Sequence, residues 1–401
     1  MLEENENYIL IDACAYCFGP AGTMDSIISG IEKKYKIILI GIGTTLELLK
    51  KNKRISEFYE VDTENLEDLD RHKSLIKNAK LVLCNTNPVM AAYAKFCGCI
   101  VFCIDILPWM NQSLEDKIIG IKELYNNSMF LANTNIDIMK QLKNVDMYYL
   151  QSYFIDFDID SRIKNYQMIA PLVPKEIYCS KEKEKHNTLV VSTGGLVNPD
   201  INGTEETLFD FVRILVECSM NFAEKYDLNR VYLCGPQILE EKIKDRYNGK
   251  LVVGSFAHDD FISMMRESKY VAFVPGLTTM YESFLLGSRS LLLPPTNCSQ
   301  VLQLDAINKS DLSGELICWD VDDELVFLCQ SISEVETAEK LCKLLKEWIN
   351  NGEMERMLLN GFNKLFSSSD DSITEKRYRV VKDMGENAID YIAKDINNIM
   401  G

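Results

Sequence analysis

Histidine is nearly missing from this chain: 401 residues hold three, His72, His186 and His258, far apart in sequence. Metal sites built on histidine rely on closely spaced ligand pairs, so this distribution argues against one. Long apolar runs are absent as well. None reaches the roughly 18–20 residues needed to span a bilayer. The opening residues MLEENENYIL are acidic and carry no cleavable apolar core, so the chain reads as cytoplasmic. Positive charge is in deficit, with a formal net charge of −17. That argues against nucleic acid, whose phosphates demand a basic face, and against sustained attachment to an anionic membrane. Residues 19–23 have neither the spacing nor the lysine of a Gly-x-x-x-x-Gly-Lys phosphate loop. No solenoid-period repeat and no low-complexity segment interrupts the pattern.

Cysteine, by contrast, is plentiful, and the count of 13 is odd. A chain of this length needs no disulfide staples. Cys84, Cys99, Cys103 and Cys234 sit in apolar runs, where cysteine acts as a small hydrophobe. Cys14-Ala-Tyr-Cys17 has CxxC spacing, and Cys97 with Cys99 could complete a zinc set. A CxC second half is unusual for zinc, so reduced packing cysteines are the better reading and no metal is expected.

The length suits two domains, each with its own core. In the first half, short runs rich in Ile, Val, Leu and Tyr at 8–13, 36–42, 57–61, 80–84, 99–104, 129–132 and 147–150 read as buried strands. Helical stretches at 23–34, 44–51 and 88–97 lie between them. The alternation predicts a parallel sheet wrapped by helices. Residues 171–187, with two prolines and the charged run Lys181-Glu-Lys-Glu-Lys-His186, break the rhythm as an exposed linker would. A second alternation follows, with strands at 188–192, 230–234, 250–253, 270–274 and 290–293 and a helix near 206–225, before a helical C-terminus from about 334. The expected division is an N-terminal domain over 1–174, a linker over 175–187 and a C-terminal domain over 188–370. The last helices, 371–401, are candidates to cross back to the first domain.

Four strand-to-helix junctions in the second half carry small or hydroxyl residues where a helix is about to start. Val191-Ser-Thr-Gly-Gly195 is the first, Leu233-Cys-Gly-Pro236 the second and Phe256-Ala-His-Asp-Asp260 the third. Glycines there let the backbone approach an anion, and a helix N-terminus supplies free amides and a favourable dipole. The fourth, Val274-Pro-Gly-Leu-Thr-Thr-Met-Tyr-Glu282, puts Gly276, Thr278 and Thr279 in a short anion-binding turn. Glu282 lies one turn further, where a carboxylate can accept both hydroxyls of a ribose. Asn297, Gln300 and Gln303 follow as neutral groups suited to a sugar.

The order Gly-x-Thr-Thr-x-x-Glu, Gly-ended apolar helix, apolar strand with Pro294, then Gln resembles the donor-binding segment of GT-B glycosyltransferases. The macrolide-type transferases and the peptidoglycan UDP-N-acetylglucosamine transferase share it. Ser192-Thr-Gly-Gly195 and the lead-in Ala170-Pro-Leu-Val-Pro174 resemble the start of that family's second domain. The resemblance covers about 170–306 well and 8–109 only loosely. It implies two doubly wound, Rossmann-like domains facing a cleft. It also implies that Thr193, Gly194, Gly195, Gly235, Gly276, Thr278 and Thr279 hold a diphosphate at the helix starts, and that Glu282 holds the ribose. Phe256, Ala257 and His258 would frame the base, and Asn297, Gln300 and Gln303 would face the sugar. No cofactor is implied. The substrate would be a nucleoside diphosphate sugar, UDP- or dTDP-linked, and the partner a small-molecule acceptor.

The acceptor side departs from that pattern. The family's first loop is glycine-rich and often carries a histidine base. Here it reads Phe18-Gly-Pro-Ala-Gly-Thr-Met24, with Gly19 and Gly22 present and Thr23 in the histidine's place. A threonine hydroxyl is no base near neutral pH. Related transferases have an acidic residue, usually partnered with the histidine, at a place comparable to Asp105. That residue ends the run Phe102-Cys-Ile-Asp105, at the strand end where open α/β sheets bind ligands. Asp105 is therefore the candidate catalytic base and Asp12 the reserve.

Two other motifs are weaker. Gly41-Ile-Gly-Thr-Thr-Leu46 lacks the third glycine of a dinucleotide fingerprint. Asp156-Phe-Asp-Ile-Asp160 has the DxD spacing of metal-dependent transferases, but a solvated acidic loop explains it better. The chain thus reads as a glycosyltransferase, inverting by family resemblance and independent of metal. A nucleotide-sugar hydrolase or 2-epimerase of the same fold is the enzymatic rival, and a non-catalytic nucleotide-sugar-binding subunit the other.

Overall fold

The computed structural model describes residues 7–15, 17–110, 112–119, 127–178, 185–196, 205–243, 249–331, 334–368 and 371–401. Residues 181–184 of the expected charged linker lie outside them. The chain forms two units, one from Met1–Lys175 with Met384–Gly401, the other Glu176–Asp383.

The first unit is built on seven strands: β1 Tyr8–Ala13, β2 Lys36–Gly41, β3 Glu57–Glu60, β4 Leu81–Asn85, β5 Val101–Asp105, β6 Met147–Gln151 and β7 Tyr166–Ile169. They form one sheet in the order β3-β2-β1-β4-β5-β6-β7, and every pairing is parallel. Helices on both faces bury the central strands completely, which is why β1, β4 and β5 read as unbroken apolar runs rather than alternating ones. Leu10, Ile40, Val82 and Leu150 face one core. Ile9, Ile11, Leu39 and Leu83 face the other, which Ile389, Ile392, Ile396 and Met400 of the helix Ala388–Met400 complete.

Local sequence misleads at two places. The run expected as a strand at 129–132 lies in the helix Ser128–Thr134, with Met129 75% exposed. A four-residue apolar run carries no period of its own, so it cannot distinguish the two states. The edge strand β7 was not foreseen; its outward residues Tyr166 and Met168 are exposed.

The second unit holds β8 His186–Ser192, β9 Arg230–Cys234, β10 Leu251–Gly254, β11 Ser268–Phe273 and β12 Ser290–Leu292. Their order is β10-β9-β8-β11-β12, again all parallel. The helix Glu205–Lys225 packs against Glu334–Asn350 and Glu353–Ser367. Ser372–Asp383 packs against Leu277–Leu285 through Arg377, which is 1% exposed. Its guanidinium donates to the carbonyls of Leu312 at 2.7 Å, Ser290 at 2.8 Å and Ser313 at 3.0 Å and lies over the Phe284 ring. Burial pulls its pKa down to about 9. Among the described residues no helix is long and apolar enough to cross a membrane.

Candidate functional site

In a doubly wound sheet, ligands bind beyond the C-terminal strand ends, where neighbouring strands send their connections to opposite faces. In the second unit that point lies between β8 and β11. Register aligns the strand ends: Ser192 pairs with Phe273 and with Cys234, Cys234 with Gly254, and Phe273 with Leu292. The residues after each end therefore meet along one edge, and all five segments carry residues that sequence singled out.

Thr193 is wholly buried; its N–H and hydroxyl both face the Cys234 carbonyl, at 3.0 and 3.4 Å. Gly194 is left-handed, with φ +60°, and turns the chain toward Gly195. Residues 197–204, between this turn and the helix Glu205–Lys225, lie outside the described residues. Gly235 is fixed by crowding: a Cβ there would sit 2.3 Å from Thr193 Oγ1 and 2.6 Å from Leu239 Cδ1. Gly276 caps the helix Leu277–Leu285 in extended conformation with no side-chain bond to its amides. Thr278 and Thr279 lie in the first turn of that helix, and a helix N-terminus is a place where anions bind.

Ala257 likewise opens the helix His258–Glu267 without a side-chain cap, with Phe256 half-buried before it. His258 and Glu282, 24 residues apart, meet in the interior, with His258 Nε2 and Glu282 Oε1 2.6 Å apart. Their side chains are 6% and 1% exposed. A carboxylate only accepts, so Nε2 carries the hydrogen.

Asn297 caps the helix Cys298–Lys309, its Oδ1 accepting from Gln300 N at 3.0 Å and from Ser299 Oγ at 2.9 Å. Gln300 Oε1 accepts from Thr296 N at 2.7 Å and from its hydroxyl at 3.1 Å. Both amides therefore spend their carbonyl oxygens on the local turn. Gln303 keeps a buried Oε1 with no hydrogen-bond partner.

In the first unit the corresponding point lies between β1 and β4. Gly19, Gly22 and Thr23, expected in a loop, form the first turns of the helix Gly19–Gly30. Thr23 is fully buried and donates to the carbonyls of Pro20 at 2.9 Å and Gly19 at 3.2 Å. The side-chain partner of Thr23 is Asn85, at the end of β4, whose amide donates to the Thr23 hydroxyl and to Pro20 O. No sequence spacing announced Asn85; only the pairing of β1 with β4 brings it there.

Asp12 ends β1 with no exposed surface. Its Oδ1 accepts from Thr63 Oγ1 at 2.8 Å, and Asn87 donates to the same hydroxyl at 2.9 Å. Oδ2 has no partner. Burial pushes the carboxyl up to about 8, against the hydrogen bond from Thr63. Asp105, at the end of β5, forms a buried ion pair with Lys117 and accepts from Leu107 N at 2.9 Å, so both its oxygens are engaged.

Of the DxD segment, Asp160 accepts from Leu114 N at 2.9 Å and pairs with Arg162, which holds its carboxyl well below the usual range; Asp156 and Asp158 are exposed. Among the described residues no group of three or more His, Cys, Asp or Glu side chains is placed to hold a metal ion.

Two parallel, doubly wound α/β units with a helical C-terminus are the GT-B fold. The chain matches spinosyn forosaminyltransferase SpnP with a TM-score of 0.50 and 10% identity, over 99% of this chain and 100% of that one. It matches UGT71G1 of Medicago truncatula, complexed with UDP-glucose, with a TM-score of 0.50 and 13% identity, over 100% of this chain and 99% of that one. No family model matches the sequence, and no curated protein matches it. At such identity the likeness carries the fold, and activity must be argued from the site.

Proposed function

We propose that the protein is a glycosyltransferase that moves a sugar from a nucleoside diphosphate donor to a small-molecule acceptor, with inversion and without a metal. One observation carries the reading: Thr193–Gly195, Gly235, Gly276–Thr279 and the His258–Glu282 pair gather at one edge of the second sheet, around its switch point. Uncapped helix starts there offer amides to a departing diphosphate. SpnP is a forosaminyltransferase by name and UGT71G1 is complexed with UDP-glucose, which supports the assignment.

The acceptor is a small molecule bearing a hydroxyl or an amine, and inversion means that it attacks the anomeric carbon from the side opposite the nucleotide. Asp105 is the candidate base, with Asp12 in reserve. The Thr23–Asn85 pair, two side chains with no basicity near neutral pH, favours a second reading, a nucleotide-sugar hydrolase or 2-epimerase on the same donor site.

Calorimetry with UDP tests the donor site. Glu282→Ala should weaken binding by about 1.5–3 kcal/mol, the worth of a hydrogen bond to a charged group; equal affinity removes Glu282 from the site. Turnover should survive EDTA, and strict dependence on Mn²⁺ or Mg²⁺ would defeat the metal-free mechanism. Product analysis with and without acceptors separates transfer from hydrolysis or epimerisation.

A further inference from the structure

Cys84, Cys99, Cys103 and Cys234 are buried and pack as small apolar residues. Cys14 and Cys17 differ. Both are only half-buried and follow the end of β1, beside the edge where a doubly wound sheet takes its ligands. Cys97 and Cys99 precede β5, at the opposite edge of the same parallel sheet, so the two pairs do not make a zinc set. Burial pushes up the thiols of Cys97 and Cys318, the other half-buried cysteines among the described residues. That leaves those two poor nucleophiles.

The segment after β1 is held in shape by hydroxyls of the helix Gly43–Leu49. Thr44 Oγ1 lies 2.6 Å from Ala15 O and 2.8 Å from Cys17 O, and shares its hydrogen between them. Thr45 donates to Ala13 O at 2.7 Å. Two carbonyls converging on one hydroxyl mean that the segment is curved rather than extended. In a four-residue turn the end Cα atoms lie within about 7 Å, and a disulfide spans about 4.4–6.8 Å. Cys17 holds φ +61°, a left-handed backbone uncommon for cysteine, and strain of that kind gathers at functional sites. Cys14 Sγ lies 3.6 Å from Glu64 Oε1, a thiol hydrogen bond to a carboxylate. Glu64 is anchored in turn, since Asn127, 2% exposed, donates to its carbonyl at 3.0 Å.

We propose that Cys14 and Cys17 form a thiol–disulfide exchange site that takes small-molecule disulfides as its oxidising co-substrate. Glu64 takes the proton of the Cys14 thiol, and the sulfur attacks one sulfur of the disulfide. The S–S bond of the small molecule breaks, and one thiolate leaves and picks up that proton. The Cys17 sulfur then attacks Cys14 Sγ, the mixed disulfide breaks, and the second thiolate leaves with the Cys17 proton. Two protein thiols are oxidised to one disulfide, and one small disulfide is reduced to two thiols. The site belongs to the first unit and does not depend on the donor-site reading.

The test is glutathione disulfide on the full chain, followed by alkylation with iodoacetamide and peptide mass mapping. The expected product links Cys14 to Cys17, retains no glutathione and forms before any other cysteine reacts. Reduced glutathione should return both thiols. Cys17→Ser should instead keep one glutathionyl group on Cys14. Glu64→Gln should slow that capture by about tenfold or more, as loss of a proton acceptor does. Glu64→Asp should restore part of the rate, with circular dichroism unchanged in each variant. A stable glutathionyl group on either cysteine of the wild type overturns the proposal, as does reaction spread evenly over the cysteines. Capture at the parental rate in Glu64→Gln overturns the mechanism.

Discussion

The side-chain amide of Asn85 donates to the hydroxyl of Thr23 in the interior of the first unit, joining the end of β4 to the helix that follows β1. Where the resemblance places a histidine partnered by an acid, this chain has a hydroxyl partnered by an amide. The same Asn85 amide reaches Pro20 O at 2.7 Å, so the pair works as a brace for the helix start. Asn85→Ala should cost about 1–3 kcal/mol in urea denaturation, because it strips buried acceptors of their donor. UDP affinity, which the proposed donor site assigns to the other unit, should stay within threefold.

Asp12 makes stability depend on pH. Its folded carboxyl titrates near 8, whereas in the unfolded chain it titrates near the ordinary value of about 4. Between those limits the folded protein holds a proton that the unfolded chain has lost, so stability falls as pH rises from about 4 to about 8 and then levels. Asp12→Asn should remove that contribution and raise the urea midpoint at pH 8 relative to wild type, with little difference at pH 4. Identical midpoint-against-pH curves for the two proteins would refute the assignment.

Asp105→Asn should behave as the breaking of a buried pair, since it strands the Lys117 ammonium. The expected loss is about 3–5 kcal/mol. Asp105→Asn combined with Lys117→Met should recover most of it. Turnover separates the roles of the carboxylate: a fall in kcat of about 10²-fold that persists in the stable double variant is expected of a general base. Parental turnover in the double variant would leave Asp105 as a structural residue only.

Gly235→Ala should cost about 1–3 kcal/mol and weaken UDP binding, because the new methyl meets Thr193 Oγ1 at 2.3 Å. Adding Thr193→Ala removes that oxygen and should restore part of the stability. If the double variant is no more stable than Gly235→Ala alone, the crowding comes from Leu239 instead.

The architecture was readable because buried parallel strands write themselves as short apolar runs. The candidate site of the second unit could be proposed from sequence because its residues lie next to strand ends. What stayed hidden was partnership. Asp105 and Lys117 are 12 residues apart, and His258 and Glu282 are 24 apart, so neither pair follows a helical or strand period. Asp12 looked like any strand-end acid, and its raised pKa comes from burial that only the packed sheet supplies. The loop expected at 18–24 became helix because Gly19 and Pro20 suit a first turn, where proline's missing N–H costs nothing.

Ile389, Ile392, Ile396 and Met400 fill a core whose other walls come from the first 175 residues, and Tyr149 OH bonds Asp395 at 2.7 Å. All of residues 176–383 are translated between the two halves of that core. On the ribosome, the second unit can therefore reach its native state before the first one can. Until the last helix emerges, the early sheet waits with one apolar face unsealed, the kind of surface that recruits holding chaperones. A message cut short near Asp383 would release a chain with one finished unit and one that can never close.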